Sequence, residues 1–184
     1  MRFNKQQILT IPNLLSLLRL LMIPLFIYLY LHGHDGWTAF VLILSGVTDV
    51  VDGYIARHFN QVSDFGKAFD PIADKLTQAA MLLCLLSRHR LMIVPLLLLA
   101  VKDVFNAVSG LLVIRRTGVV LGAEWHGKLT TVLLYGMMIL HVVWQDIPRW
   151  TSNMLNAFCV AMMLVSFVLY ARRNIRAIRS ANKE

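Results

Sequence analysis

Long apolar runs separated by short polar stretches set the pattern of this chain. Six runs reach or approach the roughly 20 residues that an α-helix needs to cross a bilayer core. They are 11–31, 37–56, 70–87, 91–114, 129–145 and 150–171. The first holds one charge, Arg19, and the second is uncharged until Asp49 and Asp52 near its end. The third opens on Asp70 and Asp74 and then turns apolar; the fourth is broken only by Lys102 and Asp103; the last two carry no charge. The pattern predicts an all-α integral membrane protein of six transmembrane helices, with residues 1–184 as a single membrane domain. Connections this short leave no room for a soluble one. The first run is of full span length and lacks a small-residue cleavage site, so it reads as a span and not as a cleaved signal peptide. Residues 1–12 mix Arg2, Lys5 and Gln6 with Phe3, Ile8 and Ile11. A short N-terminal interfacial helix on the headgroups suits that mixture, and a frayed polar start suits it equally.

Composition closes off the other classes. Of 184 residues, 58% are hydrophobic and 15% charged, where a soluble domain carries about a quarter charged. A mean hydropathy of +0.64 leaves too few polar residues to cover a globular surface. Cys84 and Cys159 both lie inside apolar runs, so neither a disulfide framework nor a zinc quartet is on offer. The net charge of +8 first hints at an acidic partner, but its distribution points to topology. With six spans, thirteen Lys and Arg fall on the side of the N-terminus, and only Arg88, Arg90 and Arg149 fall on the other. The positive-inside rule then places both termini in the cytoplasm. No nucleic-acid partner is implied.

The acidic residues carry the chemistry. Five of ten fall between Asp49 and Asp74, in DVVDGYIARHFNQVSDFGKAFDPIAD. Carboxylates at membrane depth are costly and face a cavity or one another. Asp49 and Asp52 stand at i, i+3 near the cytoplasmic end of the second span, and Asp70 and Asp74 at i, i+4 at the start of the third. Each pair shares a helix face, and a loop of about a dozen residues lets the four converge. Like charges that converge either protonate or share cations. Oxygen-only ligands favour Mg²⁺, Mn²⁺ or Ca²⁺ over zinc, and two such ions about 4 Å apart form a clamp for phosphoryl groups. An EF-hand is excluded, because these acids sit at helical spacings. Gly53 and Ala56 remove bulk where a base or sugar would approach, Arg57 can fork onto phosphate oxygens, and Gly66 lies one turn before Asp70. Taken singly, the glycines fit helix packing and Arg57 fits a flanking anchor. For the four aspartates together, a proton relay or cation pathway is the main competitor.

Asp49-x-x-Asp52-Gly53-x-x-Ala56-Arg57, eight residues, then Gly66-x-x-x-Asp70-x-x-x-Asp74 resembles the signature of the CDP-alcohol phosphotransferases. All eight fixed positions are filled over 26 residues, and six spans with the motif across the second and third agree with that family. The resemblance implies an integral-membrane homodimer that uses a CDP-linked donor and releases CMP. It implies that Asp49, Asp52, Asp70 and Asp74 hold two divalent cations, Mg²⁺ or Mn²⁺. Asp52, Gly53, Ala56, Arg57 and Gly66 would form the CDP site, and Asp74 would also be the general base. A multi-pass location in a cell membrane, of the bacterial plasma-membrane kind, follows.

Ile11-Pro12-Asn13-Leu14-Leu15-Ser16-Leu17-Leu18-Arg19 with Pro24, the run Asp70 to Lys75, and Gly127-Lys128-x-x-Thr131 are similar to the phosphatidylglycerophosphate and cardiolipin synthase branches. That similarity implies CDP-diacylglycerol as donor, with Lys128, Arg115 and Arg116 available to an acceptor phosphate. All three are also the flanking cations that topology requires. Lys102-Asp103 followed by Gly110 departs from the Arg-Glu pattern of glycerophosphate synthases and is closer to the Arg-Asp of eukaryote-type cardiolipin synthases. Leu134 replaces a common glutamine. The acceptor order implied is glycerol 3-phosphate, then phosphatidylglycerol, with inositol phosphate or serine behind.

Overall fold

The computed structural model describes residues 11–58, 64–118, 121–122 and 124–181. Among them stand six α-helices: α1 (Ile11–Leu31), α2 (Asp35–His58), α3 (Asp64–Leu86), α4 (Ile93–Thr117), α5 (Trp125–Val143) and α6 (Arg149–Ala181). A short 3₁₀ turn, Arg90–Met92, precedes α4, and the described residues include no strand. The interfacial helix expected at the N-terminus falls almost wholly on residues 1–10, outside the described ones; Ile11 and Pro12 open α1.

Among the described residues four stretches are long and apolar enough to cross a membrane: Asn13–Leu31, Arg90–Thr117, Trp125–Val143 and Arg149–Ser180. Large apolar side chains face outward along them, among them Leu14, Leu21, Leu97, Val104, Val132 and Phe158. An exposed apolar surface of that extent is a lipid-facing one. Trp37, Trp125 and Trp150 stand exposed near helix starts, where aromatic belts meet the headgroups.

Two compact units make up the chain: Met1–Arg88 with Met138–Gln145, and His89–Met137 with Asp146–Glu184. In the first, α1 packs against both α2 and α3, around Phe26, Leu42, Met81, Leu82 and Leu85, all fully buried. The α1–α2 corner is tight. Gly33 adopts φ +75, its N–H bonds to Tyr30 O, and His34 N–H reaches back to Leu29 O. This pair of bonds closes a helix with a left-handed glycine, the conformation glycine reaches without a Cβ penalty. Asp35, at the start of α2, is buried and accepts from Arg88 Nη1 at 3.0 Å and from Gln145.

In the second unit α4 packs along α6. Leu99, Val113, Cys159 and Met163 are buried there, and Phe105 meets Phe167 edge-on at 5.1 Å. Polar pins hold the ends: Asn156 Nδ2 donates to Leu91 O at 3.0 Å, and Asn174 Nδ2 to Ser109 Oγ at 2.8 Å. Helix α4 ends at Gly118, which takes φ +68 and returns its N–H to Ile114 O.

Candidate functional site: an aspartate cluster and a basic helix end

In the first unit the site is built by three helices. Helix α1 is apolar outside but carries Asn13, Ser16 and Arg19 at i, i+3, i+6, all buried. This spacing puts them on one stripe, turned toward α2 and α3. Arg19, with no exposed surface, donates from Nη1 to Asp49 Oδ1 at 2.6 Å. Ser16 Oγ donates to Asp70 Oδ1. Asp49 is also within electrostatic range of both Asp74 and Asp70. Three of the four aspartates expected from spacing therefore gather, with a buried cation and a hydroxyl from α1 among them.

Asp74 is held from its own helix. Gln78, one turn on, donates from Nε2 to both carboxylate oxygens at 3.0 and 2.9 Å. Gln78 is fully buried, and its Oε1 finds no partner among the described residues. Lys75 Nζ stands 3.9 Å from Asp74 Oδ2. An orienting amide fixes the carboxylate in place, and a proton acceptor needs such placement.

The backbone of Asp52, Gly53, Ala56, Arg57 and Gly66 lies in α2 and α3; their side chains lie outside the described ones. Among the described residues no three His, Cys, Asp or Glu side chains form a group able to hold a metal ion. Arg19 and Ser16 occupy carboxylate oxygens that a cation would share. The donor set itself is all oxygen, with Gln78 Oε1, unpartnered among the described residues, beside it, and this chemistry fits a hard divalent cation.

The second unit holds the other candidates. Arg115 and Arg116 are exposed on the last turn of α4, and Lys128 is exposed on the first turn of α5. Lys102 is buried and Asp103 half-buried on α4. A cavity of about 290 Å³ is lined by Asn106, Gly122, Tyr170, Arg173 and Asn174. Beside it Glu124 accepts from Arg173 Nη1 at 3.0 Å and pairs with His126 Nε2 at 2.7 Å. The hydrogen bond with His126 foremost, and then Arg173, hold the Glu124 carboxyl below the usual range.

Sequence reading gave no role to Ser16, Arg19 or Gln78. A signal for each was present: a lone arginine deep in a span, a serine one turn before it, and a glutamine at i+4 from Asp74.

A model of the CDP-alcohol phosphatidyltransferase family matches residues 9–171. A Streptomyces coelicolor protein named cardiolipin synthase (CMP-forming) is 41% identical over 124 residues, covering 64% of this chain and 57% of that protein. An Aquifex aeolicus protein named CDP-diacylglycerol–glycerol-3-phosphate 3-phosphatidyltransferase is 31% identical over 174 residues, covering 91% of this chain and 97% of that one. A Rickettsia prowazekii protein of the same name is 38% identical over 114 residues, covering 60% of each chain. The match thus spans less than two thirds of the Streptomyces and Rickettsia proteins and nearly all of the Aquifex one.

Proposed function

The chain belongs to the CDP-alcohol phosphatidyltransferase family, and from that premise we propose that it moves the phosphatidyl group of CDP-diacylglycerol onto glycerol 3-phosphate. The products are phosphatidylglycerophosphate and CMP. The observation that carries this reading is the pairing of Asp49 with Arg19 and of Asp70 with Ser16 on α1, with Asp70 and Asp74, one turn apart on α3, both acting electrostatically on Asp49. The end-to-end match to the Aquifex enzyme supports the acceptor. A second reading has phosphatidylglycerol as acceptor, giving cardiolipin; the Streptomyces relative and the Lys102-Asp103 pair favour it.

In the reaction the acceptor hydroxyl attacks the phosphorus that bears the lipid. Asp74, oriented through both oxygens by Gln78, takes the hydroxyl proton. The bond from that phosphorus to the CMP oxygen breaks, and CMP leaves with the electron pair. Asp49, Asp52, Asp70 and Asp74 would hold two divalent cations, Mg²⁺ or Mn²⁺, which neutralise the diphosphate. Asp52, Gly53, Ala56, Arg57 and Gly66 form the CDP site, and Arg57 forks onto phosphate oxygens. Lys128, with Arg115 and Arg116, takes the acceptor phosphate. Such transfers need positioning and charge stabilisation more than covalent help, and the chain supplies those. The protein is a homodimer with six spans, one membrane domain and cytoplasmic termini, in a bacterial plasma membrane.

The test is CMP release from CDP-diacylglycerol in detergent with Mg²⁺ or Mn²⁺, offering glycerol 3-phosphate and phosphatidylglycerol in turn. Asp74→Asn is expected to lower kcat by about a hundredfold or more, the range of a lost general base. Full activity in that variant, or no CMP with either acceptor, sinks the reading.

A further inference from the structure

Gly127 and Lys128 stand on the first turn of α5, and a cluster built on the C-terminal half of α6 fixes that turn. The hydroxyl of Tyr170 accepts the Glu124 N–H at 3.0 Å, satisfying a backbone donor just ahead of the helix. The Tyr170 ring lies edge-on to His126 at 4.6 Å, and the Arg173 guanidinium stacks on it at 4.8 Å. His126 is buried and reaches Ser166 Oγ at 3.0 Å through Nδ1, while Nε2 meets Glu124. Arg173 closes the ring by donating to Glu124 Oε1 and to Gly122 O at 2.7 Å.

Gly127 is the point of closest approach. A β-carbon there would run into the Tyr170 hydroxyl and stand 3.0 and 3.1 Å from Cε2 and Cζ. The glycine of the Gly-Lys-x-x-Thr motif is thus accounted for by an internal side chain, with no need of a substrate. What the contact sets is the position of the next residue. Gly127 and Lys128 are covalent neighbours on one turn, so a displacement at Gly127 is carried to the Lys128 backbone, and errors of about 1 Å in a binding group are felt in rate and affinity.

We infer that Tyr170 is a positioning residue for Lys128: its hydroxyl, docked against Gly127 and the Glu124 N–H, sets where α5 begins and so where the lysine meets the acceptor's phosphate. Glu124, His126 and Arg173 brace the tyrosine. The inference rests on the assignment of Lys128 to that phosphate.

The test compares Tyr170→Phe, Gly127→Ala and their double variant, as full chains in detergent, by steady-state kinetics with glycerol 3-phosphate and with phosphatidylglycerol. Tyr170→Phe is expected to raise the acceptor KM roughly three- to tenfold while donor KM and kcat stay within about twofold. Gly127→Ala is expected to be worse. The double variant should be no worse than Gly127→Ala alone, because the colliding hydroxyl is gone. An unchanged acceptor KM in Tyr170→Phe, equal shifts in both KM values, or a double variant as poor as the product of the singles overturns the inference. A readout free of activity is a nitroxide on Lys128→Cys, the native thiols at Cys84 and Cys159 being buried. Its spectrum should sharpen when Tyr170 becomes Phe, and an unmoved spectrum overturns the clamp. Absence of CMP from the unaltered protein with both acceptors instead overturns the functional reading, so the two failures are told apart.

Discussion

A charged side chain buried in a membrane helix needs a partner, and Arg19 has one in Asp49 at 2.6 Å. Removing one member of a buried pair leaves the other uncompensated, at a cost of about 3–5 kcal/mol when both are fully buried. Here Asp49 keeps 40% of its side chain exposed, so Arg19→Met should cost less, roughly 1–3 kcal/mol. The check is the melting temperature in detergent. Arg19→Met/Asp49→Asn should regain part of the loss, and no recovery would mean that Arg19 acts through packing alone. The aspartates were legible because helical spacing alone puts each pair on one face. Their α1 partners were not, since Ser16 and Asp70 are 54 positions apart and only folding brings them together. Gln78 lay within reach of the same i, i+4 reasoning that paired Asp70 with Asp74.

Apolar patterning locates spans better than helices. Residues 11–31 were read as one run, and α1 has those bounds. The third run is expected from Asp70, yet α3 begins at Asp64: residues 65–69, Phe-Gly-Lys-Ala-Phe, hold no proline, and one glycine weakens a helix without ending it. Pro71 sits inside α3, so the residue's missing N–H costs one bond of its ladder. Helix α6 runs to Ala181, ten residues past its apolar run, because the arginines and alanines that follow are good helix formers. Between α4 and α5 the chain is tied down by Glu124, whose carboxyl titrates lower when folded than free. Its share of stability is therefore complete above the ordinary glutamate value of 4.5 and is lost as pH falls through the lowered one. The melting-temperature gap between the unaltered protein and Glu124→Gln should narrow as pH is taken from about 7 to about 3. A gap that stays constant would remove the Glu124 carboxylate from the clamp.

At the scale of the whole molecule the number of crossings decides which side of the membrane the aspartates face. Four described stretches pass on length and apolarity; α2 and α3 carry the aspartates, and their charge is what lowers their hydropathy. Four crossings or six leave the two termini on the same side, so the termini cannot decide between them. The link between α2 and α3 can. With six crossings it lies in the cytoplasm with Arg57, Lys67 and Lys75, as the positive-inside rule requires; with four it lies outside. Arg88, paired with Asp35, falls on the outer side with either number of crossings and does not decide between them. His58 is exposed at the end of α2, and Asp146 is exposed between α5 and α6. An impermeant maleimide added to intact cells is expected to label Asp146→Cys but not His58→Cys, and to label both once the membrane is opened. Labelling of His58→Cys from outside would leave α2 and α3 uncrossed, with the aspartates on the face opposite the termini.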